Sequence, residues 1–144
     1  MKKSLLILMI LLLCGCGGRV GNWNAEDTAR QILDQGSYDT GFVLLDEDQI
    51  EGLLPGIMEC CSEVVVYESD SEIMNEIIVA RVTDAVGAEK VIEERKDYLL
   101  KESENYFPEQ KEMIEEALLQ IDQDRLVFVI SADPSLILEL LKSH

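Results

Sequence analysis

The sequence predicts an α+β fold of about four mostly antiparallel strands, arranged as two hairpins packed against helices. Three observations carry this reading. Val64-Val65-Val66-Tyr67 and Ile77-Ile78-Val79-Ala80-Arg81-Val82 are β-forming runs separated by the polar Ser69-Asp70-Ser71-Glu72. Leu118 to Ile121 and Leu126 to Ile130 form a second such pair around Asp122-Gln123-Asp124. Each pair is followed by apolar residues at helical spacing, long and charged after the first and short after the second.

The amino-terminal segment comes first in the chain and obeys different rules. Lys2 and Lys3 precede the wholly apolar run Leu5 to Leu13, and Leu13-Cys14-Gly15-Cys16 follows at once. That is the order of parts in an export signal. A run of about nine residues at 1.5 Å rise reaches only about 14 Å, well short of a hydrocarbon core of roughly 30 Å. Leu13, two small residues and Cys16 form a lipobox: a diacylglyceryl group joins the thiol, and cleavage before Cys16 makes it the first mature residue. The alternative is an ordinary signal or an uncleaved anchor. Residues 1–15 are therefore expected as a lipoprotein signal peptide, 16–24 as a flexible glycine-rich tether, and 25–144 as a single α+β domain. Trp23, the bulky group of the tether, is expected to touch the membrane interface or the domain, with the domain preferred.

The elements of the domain follow. Asn24 is a candidate N-cap for a helix that places Ala25, Ala29, Ile32 and Leu33 on one face and stops at Gly36. Gly41 to Leu45 reads as extended, and Ile50, Leu53 and Leu54 as a short helix ending at Pro55-Gly56. The first hairpin spans 63–68 and 76–83. A long amphipathic helix from about Val86 to Ser103 uses Val91, Ile92, Tyr98 and Leu99. Pro108 begins a second helix, because proline suits a first turn and not a helix interior, and Met113, Ile114 and Ala117 face inward. The second hairpin then leads to Asp133-Pro134, a cap and first-turn proline, and to a final helix with Leu136, Ile137, Leu140 and Leu141 on one side. Hairpin, cap and helix occur twice, which admits a ββα repeat although the residue identities do not align. The expected sandwich has helices on one sheet face, and the pattern leaves the covering of the second face open.

Composition narrows the function classes. The chain carries 12 Lys and Arg against 29 Asp and Glu, for a net charge of −17, and removing residues 1–15 with their two lysines makes it −19. Such a surface repels nucleic acid and bare anionic lipid. It suits solubility beside an anionic envelope, or cation binding. After processing, Cys60 and Cys61 are the remaining thiols. Outside the cytoplasm this adjacent pair can close a strained vicinal disulfide, or one member can pack in the core. Metal binding by the pair is not expected, since the sole histidine is His144 and no second Cys pair completes a tetrahedral site. The missing interior histidine and Gly-x-Ser-x-Gly elbow argue against a Ser or Cys triad. No phosphate-cradling glycine loop is present, and no catalytic residue or cofactor is expected. Asp46-Glu47-Asp48 and Asp122-Gln123-Asp124 read as solvated turns rather than calcium loops, lacking the spaced ligands and distal Glu. Tyr106-Phe107 reads as a hydrophobic staple in preference to a recognition patch.

With the lipobox, the valine strand, Glu76-Ile77-Ile78-Val79-Ala80-Arg81, the charged helix and Tyr106-Phe107-Pro108-Glu109-Gln110 in hand, the chain resembles the DUF4358 lipoproteins of clostridia-like Gram-positive bacteria. The resemblance spans most of the mature domain. It implies a small extracytoplasmic α+β domain and brings no activity, substrate or catalytic residue with it. The expectation is a non-enzymatic binding or assembly module, held at the extracytoplasmic face of the cell membrane by lipid on Cys16 and serving an envelope protein or ligand. The alternative is an accessory subunit or enzyme of an envelope process that uses carboxylates or a bound cation.

Overall fold

A computed structural model describes residues 23–143. Leu13, Cys14, Gly15 and Cys16, the residues expected to form a lipobox, lie outside the described residues, as does His144. Among the described residues the fold is α+β, with six α-helices and one antiparallel sheet of five strands.

Helix α1 (Ala25–Gln35) starts where Asn24 accepts a hydrogen bond from the Asp27 amide, and it buries Ala25, Ala29 and Ile32. The extended residues after it form a short strand, β1 (Phe42–Leu44), which joins the sheet as a fifth strand. Asp46 then builds a capping box with Gln49 for α2 (Glu47–Leu53), so this acidic triplet is a helix start. A further turn of helix, α3 (Ile57–Cys60), begins after Gly56 at φ 84°. That left-handed conformation is one glycine adopts without a Cβ clash.

Strands β2 (Cys61–Ser69) and β3 (Glu76–Val82) form the first hairpin, with a register shift between Cys61 and Glu63. The bulge turns Cys61 toward one face and Glu63 toward the other, which strict alternation forbids. Helix α4 (Ala85–Tyr106) is capped by Asp84 and runs three residues past Ser103. Pro108 opens a 3-10 turn (Pro108–Gln110) that passes into α5 (Lys111–Glu115). Phe107 is half-buried, whereas Tyr106 is 67% exposed, so of the expected staple pair only Phe107 packs inward. Strands β4 (Leu118–Asp122) and β5 (Arg125–Ile130) turn through Gln123 and Asp124, and α6 (Pro134–Lys142) closes the fold behind its Asp133 cap.

The strand order is β1-β2-β3-β5-β4, which puts β3 and β5 in the interior of the sheet. Both are apolar almost without alternation because both of their faces are covered. On one face Val66, Ile78, Ala80, Leu126 and Phe128 pack beneath α2, α3, α4 and α5, through Ile50, Ile57, Ile92 and Ile114. On the other, Tyr67, Ile77, Val79, Val127 and Val129 pack beneath α1 and α6, through Ile32 and Ile137. Burying an isoleucine contributes about 1.5–3 kcal/mol, so these side chains hold the outer helices to the sheet. The face left open by the sequence pattern is thus closed by the first and last helices together. Because α4 and α6 follow equivalent hairpins yet lie on opposite faces, the two ββα units are not equivalent in space.

Candidate functional site

The first and last helices do not meet flush over the sheet. Between them, above the β4–β5 end, lies a cavity of about 280 Å³. Its floor is apolar: Ile32 from α1, Val127 from β5, and Leu140 and Leu141 from α6. Its rim is polar, with Asp27, Thr28 and Gln31 along α1, Gln120 and Asp122 on β4, and Arg125 on β5. An apolar base with a few convergent polar groups is the usual composition of a small-ligand pocket, and this one is at the small end of the range.

Trp23 walls the cavity and is held there by an arginine network. The Arg81 guanidinium lies 5.0 Å from the centre of the indole ring, and the Arg125 guanidinium lies 5.6 Å from it. Arg81 also donates from Nη2 to the Trp23 carbonyl and from Nη1 to Asp124 Oδ2 at 2.6 Å. Arg81 and Arg125 are direct cross-strand partners, an arrangement of like charges that costs stability when nothing intervenes. Here the negative face of the indole and the Asp124 carboxylate offset the repulsion. Glu63, the cross-strand partner of Arg81 on the other side, lies 3.7 Å from Arg81 Nε and accepts the Ala25 amide at 3.1 Å. The end of the expected tether is therefore fastened to the domain at Trp23, and the same residues fix the start of α1.

Thr28 Oγ1 donates to the Asn24 carbonyl at 3.1 Å, and no histidine occurs among the described residues to act as its base. Arg125 makes no salt bridge among the described residues and is available to an anionic or carbonyl group of a ligand. Among the described residues no group of three or more His, Cys, Asp or Glu is placed to hold a metal ion, and no helix is long and apolar enough to cross a membrane.

Cys60 and Cys61 sit at the α3–β2 junction beneath the opposite face of the sheet, with Cys61 in the core and Cys60 at its margin. Both are free thiols. Burial, followed by the neighbouring Cys60, pushes the Cys61 thiol up to about 11. Burial, followed by Asp84 and Glu59, also raises Cys60. Each shift lowers the fraction of thiolate, the reactive form of cysteine. Neither lines the cavity.

Sequence reasoning missed Arg81, Arg125 and Gln120 as members of one site, since they come from three strands whose order is not written locally. A usable signal was present: two arginines flank strands on a strongly acidic chain, and both fall on the face away from α4. Compared with family models, curated proteins and solved structures, the chain matches none.

Proposed function

We propose that this protein is a lipid-anchored extracytoplasmic binding module of the DUF4358 lipoprotein type, which captures a small ligand or an envelope partner in the α1–α6 cavity. The observation that carries the reading is the position of Trp23. It walls the cavity and stands seven residues after Cys16, the residue the lipobox marks for acylation. At no more than about 3.6 Å per residue, seven residues span at most about 25 Å. A lipid on Cys16 thus keeps the cavity within about that distance of the bilayer surface, where a short tether raises the effective concentration of anything else attached to the membrane. The net charge of −19 favours spacing from anionic headgroups over adhesion to them.

Two variants test the two halves of this reading. Cys16→Ser leaves the domain intact and should release it from the membrane fraction, or leave the precursor uncleaved, on fractionation and mass spectrometry of the amino terminus. Unchanged processing and retention refute the anchor. Thr28→Trp places a large ring at the cavity from α1, where Thr28 is half-buried in its wall. It should abolish adducts formed from a photo-crosslinking residue at position 120 in whole cells, while leaving membrane retention unchanged. Identical adducts with and without the blocking ring would remove the cavity from the function.

A further inference from the structure

Among the described residues, three charged side chains line the α1–α6 cavity: Asp27 on α1, Asp122 on β4 and Arg125 on β5. None of the three takes part in a salt bridge among the described residues. Asp122 and Arg125 are nevertheless direct cross-strand partners, a placement in which opposite charges attract. The Arg125 guanidinium lies instead against the Trp23 wall, 5.6 Å from the ring centre. Arg81 does not line the cavity, and its charge is met by Asp124 at 2.6 Å and Glu63 at 3.7 Å. A cation and an anion thus stand as neighbours, unjoined, beside the apolar floor of Ile32, Val127, Leu140 and Leu141.

The charges decide which ligand class fits. A simple anion meets two aspartates for one arginine, and a simple cation meets Arg125. A zwitterion gives each neighbour its opposite and adds no net charge. The amides that open α1 do not supply a rival anion site, since Ala25 donates to Glu63 at 3.1 Å and Asp27 to Asn24 at 3.0 Å. Directly opposed residues have Cβ atoms about 4.5–5.5 Å apart, so the pair suits a ligand whose two charges are carried on one carbon. A peptide separates its charged ends by more than that. The cavity volume of about 280 Å³ also suits a molecule of single-residue size, and its aliphatic floor suits an alkyl group.

From this combination we infer that the cavity binds a free α-amino acid with an aliphatic side chain. Its carboxylate accepts from the Arg125 guanidinium, its ammonium donates to the Asp122 carboxylate, and its alkyl group rests on the floor. Asp27, on the α1 side, disfavours carboxylates that bring no amine. The inference rests on the reading of this cavity as a binding site and names the class of molecule it takes.

Calorimetric titration of the full-length protein in detergent with L-leucine tests the assignment, and the emission of Trp23, the sole tryptophan, locates the binding. Saturable single-site binding is expected, with a change in Trp23 emission at the same midpoint. Leucinamide keeps the amine without the carboxylate, and 4-methylpentanoate keeps the carboxylate without the amine. Each should bind at least about tenfold more weakly, having lost one charge-assisted hydrogen bond. Arg125→Gln and Asp122→Asn should each weaken leucine about tenfold or more. Arg125→Gln also removes the like charge opposite Arg81, and Asp122 is exposed, so neither change threatens the fold. No saturable leucine binding, heat without a Trp23 response, equal affinity for either analogue, or undiminished affinity in Arg125→Gln would each overturn the assignment. If leucine fails to bind while Thr28→Trp still abolishes the position-120 adducts, the cavity remains a binding site and only the amino acid is refuted.

Discussion

Arg95 and Arg81 each meet carboxylates beside β3, but one is enclosed and the other is half-open to solvent. Glu76 and Arg81 stand at opposite ends of that strand and, being an odd number of residues apart, on opposite faces of the sheet. At the α4 face Arg95 is 8% exposed and Glu76 2% exposed, with three close nitrogen–oxygen contacts between them. At the α1 face the Arg81 side chain is 35% exposed and divides its donors among Asp124, Glu63 and the Trp23 carbonyl. Desolvation makes the first pair expensive to break, because removing either partner strands a charge in the core. The second behaves as a clasp, since water can take over the charges it releases. The same ion-pair chemistry thus stiffens one face and fastens a terminal segment to the other.

The largest expected effect comes from Arg95→Met, which keeps the aliphatic stem and removes the cation. It should lower the unfolding free energy by about 3–5 kcal/mol at neutral pH, measured by urea denaturation. The loss should be pH-dependent with a defined sign. Burial pushes the Glu76 carboxyl above its ordinary value of 4.5, Arg95 opposes that rise, and Glu68 adds to it. Without Arg95 the folded-state value climbs further above the unfolded one. Stability is then fully present below about 4.5 and lost as pH rises through the elevated folded value. The variant should therefore recover part of its deficit on acidification, and a deficit that grows toward acid would break the comparison.

A smaller effect is expected from Arg81→Ala, about 1 kcal/mol, because the network is partly solvated. Its sharper readout is optical. Trp23 is the sole tryptophan, so its emission should shift to the red and become more quenchable when the clasp is removed. A stability cost equal to that of Arg95→Met would show that exposure does not separate the two clusters. The smallest effect is expected at the exposed Glu104–Lys111 bridge. Lys111 holds the Glu104 carboxyl below its ordinary value, so its contribution is present above that value and lost as pH falls through the folded one. Both side chains are about half exposed, and Glu104→Gln should leave the denaturation midpoint within experimental error, a result that a shift as large as that of Arg81→Ala would contradict.

Much of the fold was legible because its signals are local. Asn24 and Asp133 cap the helices they precede by bonding an amide three residues on, and Pro134 stands in a first turn where its missing donor costs nothing. The two hairpins follow from β-forming runs around short polar turns. The fifth strand is three residues long, too short for alternation to declare it, and it exists by pairing with β2. Pro108 begins a 3-10 turn and a single turn of α-helix, shorter than the helix its spacing implied, since the inward-facing Ile114 is followed at once by the strand. The unbroken apolar character of Ile77 to Ala80 and Leu126 to Ile130 announced burial on both sides, a clue that the outer helices divide between two faces.

The sequence by itself determined the α+β class, the position of most caps and turns and the marked acidity, and it carries the residue pattern read as a lipobox at Cys16, since each depends on residues a few positions apart. Only the tertiary structure decided the strand order, the placement of α1 and α6 on one face, and the two arginine clusters. Arg81 reaches Trp23 across 58 residues, and Arg95 reaches Glu76 across 19 by way of a turn and a helix. Contacts of that span exist only after the sheet has formed, when burial decides which charges are enclosed together and which remain within reach of water.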